Sequence, residues 1–387
     1  MRIKRGSLVA GAVAALLAVG AGSAQADLGA PSTLAEVDTA KAAQYLHSSL
    51  NGKAMGYAFA IAEDGLLAQK GSDGTARVDK GTSFTPNSRI EIASATKNVV
   101  AAALLKVTEA AGLTPDALIW PYLPPDMRST ATAGWQSVKI KDILGHTSGL
   151  GQFIGSQPKS EQDKMNARYD GIKYAMSVAP VGTGQAYDYE NENYAVARVV
   201  LTRLWYLTET DPSVGVPQWI QPGGAPWSLA YINRYLFKPA GIAAVDCLSA
   251  DPQNDALGHM TRTSQTGNLL EMSGVAYEAC ASYRGLRMSA IDLVRWQVYL
   301  RHGTIVSQQV RLWMDTVETG AKGLGWTYVA NGTRAHGGDY NNTLGRVVTC
   351  HGKFTDNVEA SLVVNSGIDG GANPCSLLAA AIQYASS

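Results

Sequence analysis

The segment from Ala95 to Ala111 is built largely from alanine, valine and leucine, is apolar on most faces of a helix, and stops at Gly112. A surface helix carries one apolar stripe, whereas a helix apolar nearly all round has to be enclosed by the rest of the fold. The chain has the material to enclose it. Of its 387 residues 46% are hydrophobic, 8% aromatic and 17% charged, the balance of a globular protein with a real core.

Upstream, Leu34, Val37, Ala40, Ala43, Tyr45 and Leu46 recur at near-helical spacing across Thr33 to Ser49, with Thr33 and Glu36 placed as a capping box. Met55 to Ile61 is apolar and partly alternating, Glu63-Asp64-Gly65 is a turn signal, and Leu66 to Gln69 can return as a second strand. Between Pro115 and about Ala281, helix-like stretches such as Tyr194 to Leu204 and Leu229 to Phe237 alternate with loops rich in proline and glycine. Asp211 to Trp227 is a long surface loop or insertion. Ala290 to Arg301 then reads as a helix, Gly325 to Val329, Leu344 to Thr349 and Ala360 to Val364 as strands, and Cys375 to Tyr384 as a closing helix. This order predicts an α/β (α+β) fold, with an antiparallel sheet flanked by helices and formed from both chain ends, residues 27–125 and 281–387. An all-α domain, residues 126–280, is inserted between them.

The amino terminus carries Arg2, Lys4 and Arg5, an apolar run from Leu8 to Gly20, and Ala24-Gln25-Ala26, the pattern of a secretory signal peptide (1–26) cleaved after Ala26. Its apolar run falls short of the roughly 20 residues of a spanning helix, and no later segment replaces it. A periplasmic or secreted protein without a stable membrane span is expected. Cleavage removes three basic groups and no acidic ones, so a formal charge of 0 becomes about −3. Nucleic acid is not an expected partner. The cysteines Cys247, Cys280, Cys350 and Cys375 would reach an oxidising compartment. Of the three possible pairings, Cys247 with Cys280 and Cys350 with Cys375 each close a local loop. Their spacing matches no zinc signature and the six histidines are scattered, so neither a metal nor a cofactor is expected.

Ser94-Ala95-Thr96-Lys97 stands where an extended stretch, Arg89 to Ala93, meets the apolar helix. A spacing of three puts two side chains on one helix face, so Lys97 can reach the Ser94 hydroxyl. A helix start also offers free backbone N–H groups to an oxyanion. Burial among alanines and valines lowers a lysine pKa, which a proton acceptor requires.

Taken with five further segments in order, this stretch resembles the first motif of the penicillin-recognising serine hydrolases, the family of serine β-lactamases, DD-peptidases and related esterases. Ile140 to Leu150, with His146-Thr147-Ser148-Gly149-Leu150, is similar to the segment class C β-lactamases carry after the nucleophile helix. Tyr189-Glu190-Asn191 is similar to the Tyr-x-Asn motif. Leu286 to Leu293 and Gly323-Leu324-Gly325-Trp326 match the lead-in to the last strands, and His336-Gly337-Gly338 resembles the third motif, found as Lys-Thr-Gly or His-x-Gly.

The resemblance implies the family's α/β sandwich with a helical domain, and an acyl-enzyme on Ser94. Lys97 and Tyr189 would share proton transfer, the Tyr189 phenol being depressed by Lys97 and a protonated His336. Asn191 would hold the substrate amide and Lys97, and His336 would lend a hydrogen bond or positive charge. Gly337 and Gly338 would let an acyl group lie against the strand, and the Asp339 N–H would complete the oxyanion site. Tyr187 competes with Tyr189, but only Tyr189 has an asparagine two positions on. A Ser-His-Asp triad through His146 is disfavoured by the absence of a Gly-x-Ser-x-Gly elbow.

Two positions depart from the family pattern. Glu190 replaces the usual small residue, and Asp339 a small or hydroxylated one. Together they could make the pocket acidic and repel a free carboxylate, unless both face solvent or are neutralised by Arg334 or Lys322. The expected substrate is therefore a small-molecule ester, an amide or a D-peptide, cleaved by an esterase or D-amino-acid peptidase or amidase. The alternatives are a DD-carboxypeptidase on cell-wall peptides, a β-lactamase, and a non-catalytic penicillin- or peptidoglycan-binding protein.

Overall fold

The two ends of the chain meet in one sheet. The computed structural model describes residues 37–317, 322–330 and 332–386; the expected signal peptide and the Thr33/Glu36 capping box lie outside the described residues. The strands are β1 (Gly56–Glu63), β2 (Leu66–Arg77), β3 (Thr82–Ser83), β4 (Ile90–Glu91), β5 (Arg287–Met288), β6 (Tyr328–Ala330), β7 (Thr333–Asn341), β8 (Arg346–Lys353) and β9 (Val358–Val364). Seven of them form an antiparallel sheet in the order β3-β2-β1-β9-β8-β7-β6, and β4 pairs with β5 apart from it.

Side chains alternate across a strand, and here both faces are covered. Ala58, Ala60 and Ala62 of β1 pack toward the helix Ala290–His302, in the same core cluster as the buried helix. Tyr57, Phe59 and Ile61 pack under the terminal helices Thr39–Leu50 and Pro374–Ala385. Burial on two sides is why β1 and β9 read as nearly continuous apolar runs. The enclosed helix spans Thr96–Ala110, and even Lys97 and Asn98 in its first turn are shut off from solvent. It packs against the helix Asn191–Thr208 of the helical middle region.

Several boundaries differ from the sequence expectation, each for a local reason. The first helix begins at Thr39, because the Asp38 side chain caps it by accepting from the Lys41 N–H at 2.9 Å. The hairpin turn falls at Asp64-Gly65, both at positive φ, but β2 continues to Arg77 with mostly polar, part-exposed residues. Its length comes from backbone pairing with β1, which leaves no hydrophobic trace. The polar β7 was hidden from hydrophobic periodicity in the same way, while β6 begins three residues later than expected and β8 two. The helical reading of Leu229 to Phe237 resolves into Trp227–Ile232 and a wider π turn, Asn233–Phe237. The Asp211–Trp227 stretch is loop apart from one turn at Pro212–Val214.

Cys247 is bonded to Cys280 and Cys350 to Cys375, with Cα separations of 5.8 and 5.2 Å. The second bond fastens β8 to the first turn of the closing helix. Among the described residues no helix is long and apolar enough to cross a membrane.

Candidate active site

Ser94 sits in a short 3-10 turn, Ala93–Ala95, between β4 and the buried helix. Ala93 is held at φ +51°, a left-handed value that costs energy for a side-chain-bearing residue. The sheet holds the turn there. Thr349 Oγ1 donates to the Ile92 carbonyl at 2.8 Å, and His351 Nε2 lies 3.1 Å from the Ala95 carbonyl. Gly338 lets β7 approach: a Cβ at that position would lie 2.4 Å from Ile92 O and 3.0 Å from Ala93 Cβ. Its lack of a side chain serves this packing, and the residue also lines the cavity beside Ser94. Gly337 faces the opposite side and is half-buried.

Lys97 is wholly buried, with Nζ 3.0 Å from Ser94 Oγ; it donates to Asn191 Oδ1 at 2.8 Å and to the Tyr283 carbonyl at 2.9 Å. Burial brings its pKa down to about 7; Glu192 and Glu190 oppose that shift and Arg284 adds to it. A neutral amine has two N–H bonds and one lone pair. With Asn191 and Tyr283 taking the N–H bonds, the lone pair faces the Ser94 hydroxyl. This polar centre is also caged by the rings of Tyr189, Tyr283 and Tyr194, at 4.8, 5.5 and 5.8 Å from Nζ.

The segment around His146 is a clip for the Tyr189 loop. Gly182, Gln185 and Asp188 donate backbone N–H bonds to the carbonyls of Ser148, Thr147 and His146 at 2.9, 2.8 and 3.0 Å. The Glu190 N–H donates to His146 Nδ1 at 3.1 Å, and the His146 ring lies 4.5 Å from that of Tyr189. Burial lowers the His146 pKa to about 3, so it remains a neutral acceptor. Tyr189 hydrogen-bonds with Ser94, and Tyr187 lines the same pocket.

Two electrostatic expectations fail. Burial raises the Tyr189 phenol well above its ordinary value despite the bond to Ser94, so it stays protonated instead of being depressed. Burial likewise pushes His336 well below the usual histidine range, with the nearby Lys97 adding to the effect. Its Nδ1 lies 2.7 Å from the Gly337 carbonyl and, on a neutral ring, donates to it. His336 carries no positive charge.

The acidic pocket also fails. Asp339 lines the cavity but is held in a two-pronged fork by Arg346, with Nε–Oδ1 at 2.9 Å and Nη2–Oδ2 at 2.5 Å. The neutralising cation is thus Arg346 rather than Arg334 or Lys322. Glu190 is turned to the backbone, accepting from the Asn191 N–H at 2.7 Å as the helix cap. It is also hydrogen-bonded to Glu192, whose pKa is raised to about 9 by burial and by that carboxylate.

The cavity holds about 520 Å³ and is lined by Ser94, Tyr189, Lys322, Thr327, His336 and, on the far side, Ile368 and Gly371 to Cys375, among others. The Asp339 N–H opens toward it. Successive amides of a strand point to opposite edges; on the edge facing β6, Thr327 accepts the Gly337 N–H through Oγ1 (3.3 Å) and donates to the Ala335 carbonyl (3.0 Å). β6 reaches no further than its pair with Ala335, and among the described residues no strand pairs with the same edge at Asp339. Among the described residues no group of three or more His, Cys, Asp or Glu converges as metal ligands.

Sequence reasoning missed three contributors. Tyr283 acts through its carbonyl, so its side chain gives no signal. Arg284 follows it and forks onto the wholly buried Glu91, with Nη1 2.8 Å from each carboxylate oxygen. Gly325, read as part of a motif, receives the Asn98 amide on its carbonyl at 3.2 Å, locking the first turn of the buried helix.

Among solved structures, the chain resembles a D-amino acid amidase from Ochrobactrum anthropi SV3, at 17% identity and TM-score 0.66, covering 89% of this chain and 99% of that one. A D-stereospecific amidohydrolase from Streptomyces sp. matches at 18% and 0.63, covering 89% and 98%. EstCE1, a hydrolase with promiscuous acyltransferase activity, matches at 15% and 0.68, covering 89% and 98%. At these identities the likeness is one of fold. The Beta-lactamase family model matches residues 34–372, nearly the whole chain, so the protein belongs to the Beta-lactamase family and is a serine hydrolase of it.

Proposed function

We propose that the protein is an exported acyl hydrolase that works through an acyl-enzyme on Ser94 and cleaves esters or D-amino-acid amides and peptides. The observation that carries this reading is the buried Lys97, with a pKa of about 7 and a lone pair facing Ser94 Oγ at 3.0 Å. Lys97 takes the Ser94 proton as Oγ attacks the carbonyl carbon. The Ser94 and Asp339 N–H groups receive the developing oxyanion. Tyr189, a neutral phenol on Ser94, relays the proton to the leaving group, and Asn191 keeps Lys97 aimed. Water then releases the acyl group by the reverse path, and no cofactor takes part. Residues 126–280, read as an inserted helical domain, bring Tyr189 and Asn191 to the cleft.

The fold-level likeness to two D-specific amide hydrolases and to EstCE1 supports the substrate class. Two disulfides and the signal-like amino terminus support export. A DD-carboxypeptidase is the second reading, favoured by Lys322 in the cavity, which suits a free carboxylate. Intact-mass analysis after exposure to an acetyl ester, a D-amino-acid amide, a peptide ending in D-Ala-D-Ala and a β-lactam tests both. Adducts from the first two, lost in Ser94→Ala, are expected. Preference for the peptide selects the carboxypeptidase, and no adduct from any of the four overturns the acyl-enzyme.

A further inference from the structure

The cavity beside Ser94 does not stay on one side of the sheet. In β7 the side chains of His336, Gly338 and Tyr340 face the Ser94 turn, as do their direct partners His351, Thr349 and Val347 in β8. Gly337 and Asp339, opposite Cys350 and Val348, face the other way, toward the closing helix. The lining nevertheless includes Ser94 and His336 from the first face together with Gly337, Asp339, Val348, Ile368, Ala372 and Cys375 from the second. The single cavity therefore wraps round the open edge of β7, just past the point where β6 ends.

Direction follows from the proton path. A leaving group has to depart toward Lys97 and Tyr189, which supply its proton. The oxygen points at the Ser94 and Asp339 N–H groups. The acyl substituent takes the remaining direction, across the β7 edge beside Asp339, just past the point where Thr327 covers Gly337. Beyond that edge the wall is mixed: Val348, Ile368, Ala372 and Pro374 are apolar, Asn373 is turned to the Cys375 and Ser376 amides, and the charged Asp339 and Arg346 neutralise each other. A volume of about 520 Å³ belongs to a site for a ligand of many heavy atoms, far beyond an acetyl group.

We propose that this far-side lobe is an acyl-chain subsite, selecting substrates whose acyl part is long, uncharged and mainly apolar and crosses the edge of β7 beside Asp339. The proposal rests on the acyl-enzyme reading above and narrows its substrate class to the acyl side of the scissile bond.

The test uses p-nitrophenyl acetate and p-nitrophenyl octanoate, which share a leaving group and differ only in the acyl part. In the wild type kcat/KM rises at least tenfold from acetate to octanoate; equal values overturn the subsite. Ala372→Trp, an exposed position on the lobe wall, lowers the octanoate-to-acetate ratio at least tenfold, whereas Ala372→Ser keeps it within twofold. An unaltered ratio in an Ala372→Trp protein that melts at the wild-type temperature also overturns it. If that variant does not fold, the wild-type ratio still decides. An adduct on Ser94 from acetate combined with a flat chain-length profile refutes the subsite alone, while absence of any adduct refutes the underlying chemistry.

Discussion

The two walls of the cleft treat their polar groups in opposite ways. On the Ser94 wall, Lys97, Asn98, Glu91 and His351 are wholly buried. On the far wall, Asp339 and Arg346 bond through a good fork but stay 54% and 36% exposed. In low dielectric, desolvation moves a pKa by several units and a misplaced partner is costly; near water, the same contact changes little. The buried wall can therefore tune reactivity, whereas the exposed wall can tune only what fits. Perturbation of the first should be felt in rate, and of the second in preference.

The largest effect is expected at Lys97. Lys97→Met keeps the apolar stem and removes the base, and kcat/KM on a reactive ester should fall by roughly 10⁴-fold with the fold retained by circular dichroism. The wild-type profile supplies the matching test. Only the neutral amine can accept the Ser94 proton, so kcat/KM should rise about tenfold per pH unit below about 7 and level off above it. A flat profile through that range would remove Lys97 as the base. Gly338→Ala comes next. Its methyl group would overlap the Ile92 carbonyl, pushing β7 off the Ser94 turn and with it the Asp339 N–H. A misplacement near 1 Å costs about 10²-fold, read as kcat falling more than KM rises. Wild-type kcat in a folded Gly338→Ala protein would show that the close approach does not matter.

How much of this could be read from the sequence depends on what each feature leaves behind in it. Ser94 and Lys97 were legible because chemistry fixes both residue types and helix geometry fixes their spacing. The sheet built from both chain ends was legible in β1 and β9, whose two-sided burial leaves continuous apolar runs. β7 and the second half of β2 were not, since their stability lies in backbone ladders that polar sequences form equally well. Charge states were the least legible. The Tyr189 phenol was expected to be depressed by Lys97 and a protonated His336, and burial of both groups overrides that. Asp339 was left between a free carboxylate and one neutralised by Arg334 or Lys322, because its actual partner, seven residues on at Arg346, lies across the β7–β8 hairpin and not along one strand.

The smallest effect is expected at that pair. Asp339→Asn keeps the backbone N–H proposed for the oxyanion and removes one negative charge, leaving Arg346 without its fork and the lobe more positive by one. Exposed pairs contribute about 0.2–1 kcal/mol, so the melting temperature should fall by about 2 °C or less. At low ionic strength an anionic acyl ester should gain about threefold in kcat/KM relative to a neutral one, because the unmatched guanidinium attracts it. Salt near 0.5 M should erase the gain, since screening is nearly complete within a few ångströms there. A tenfold loss on neutral and anionic esters alike would mean that the carboxylate, and not only the backbone beneath it, holds the reacting group. The far wall would then belong to the chemistry as much as Lys97 does.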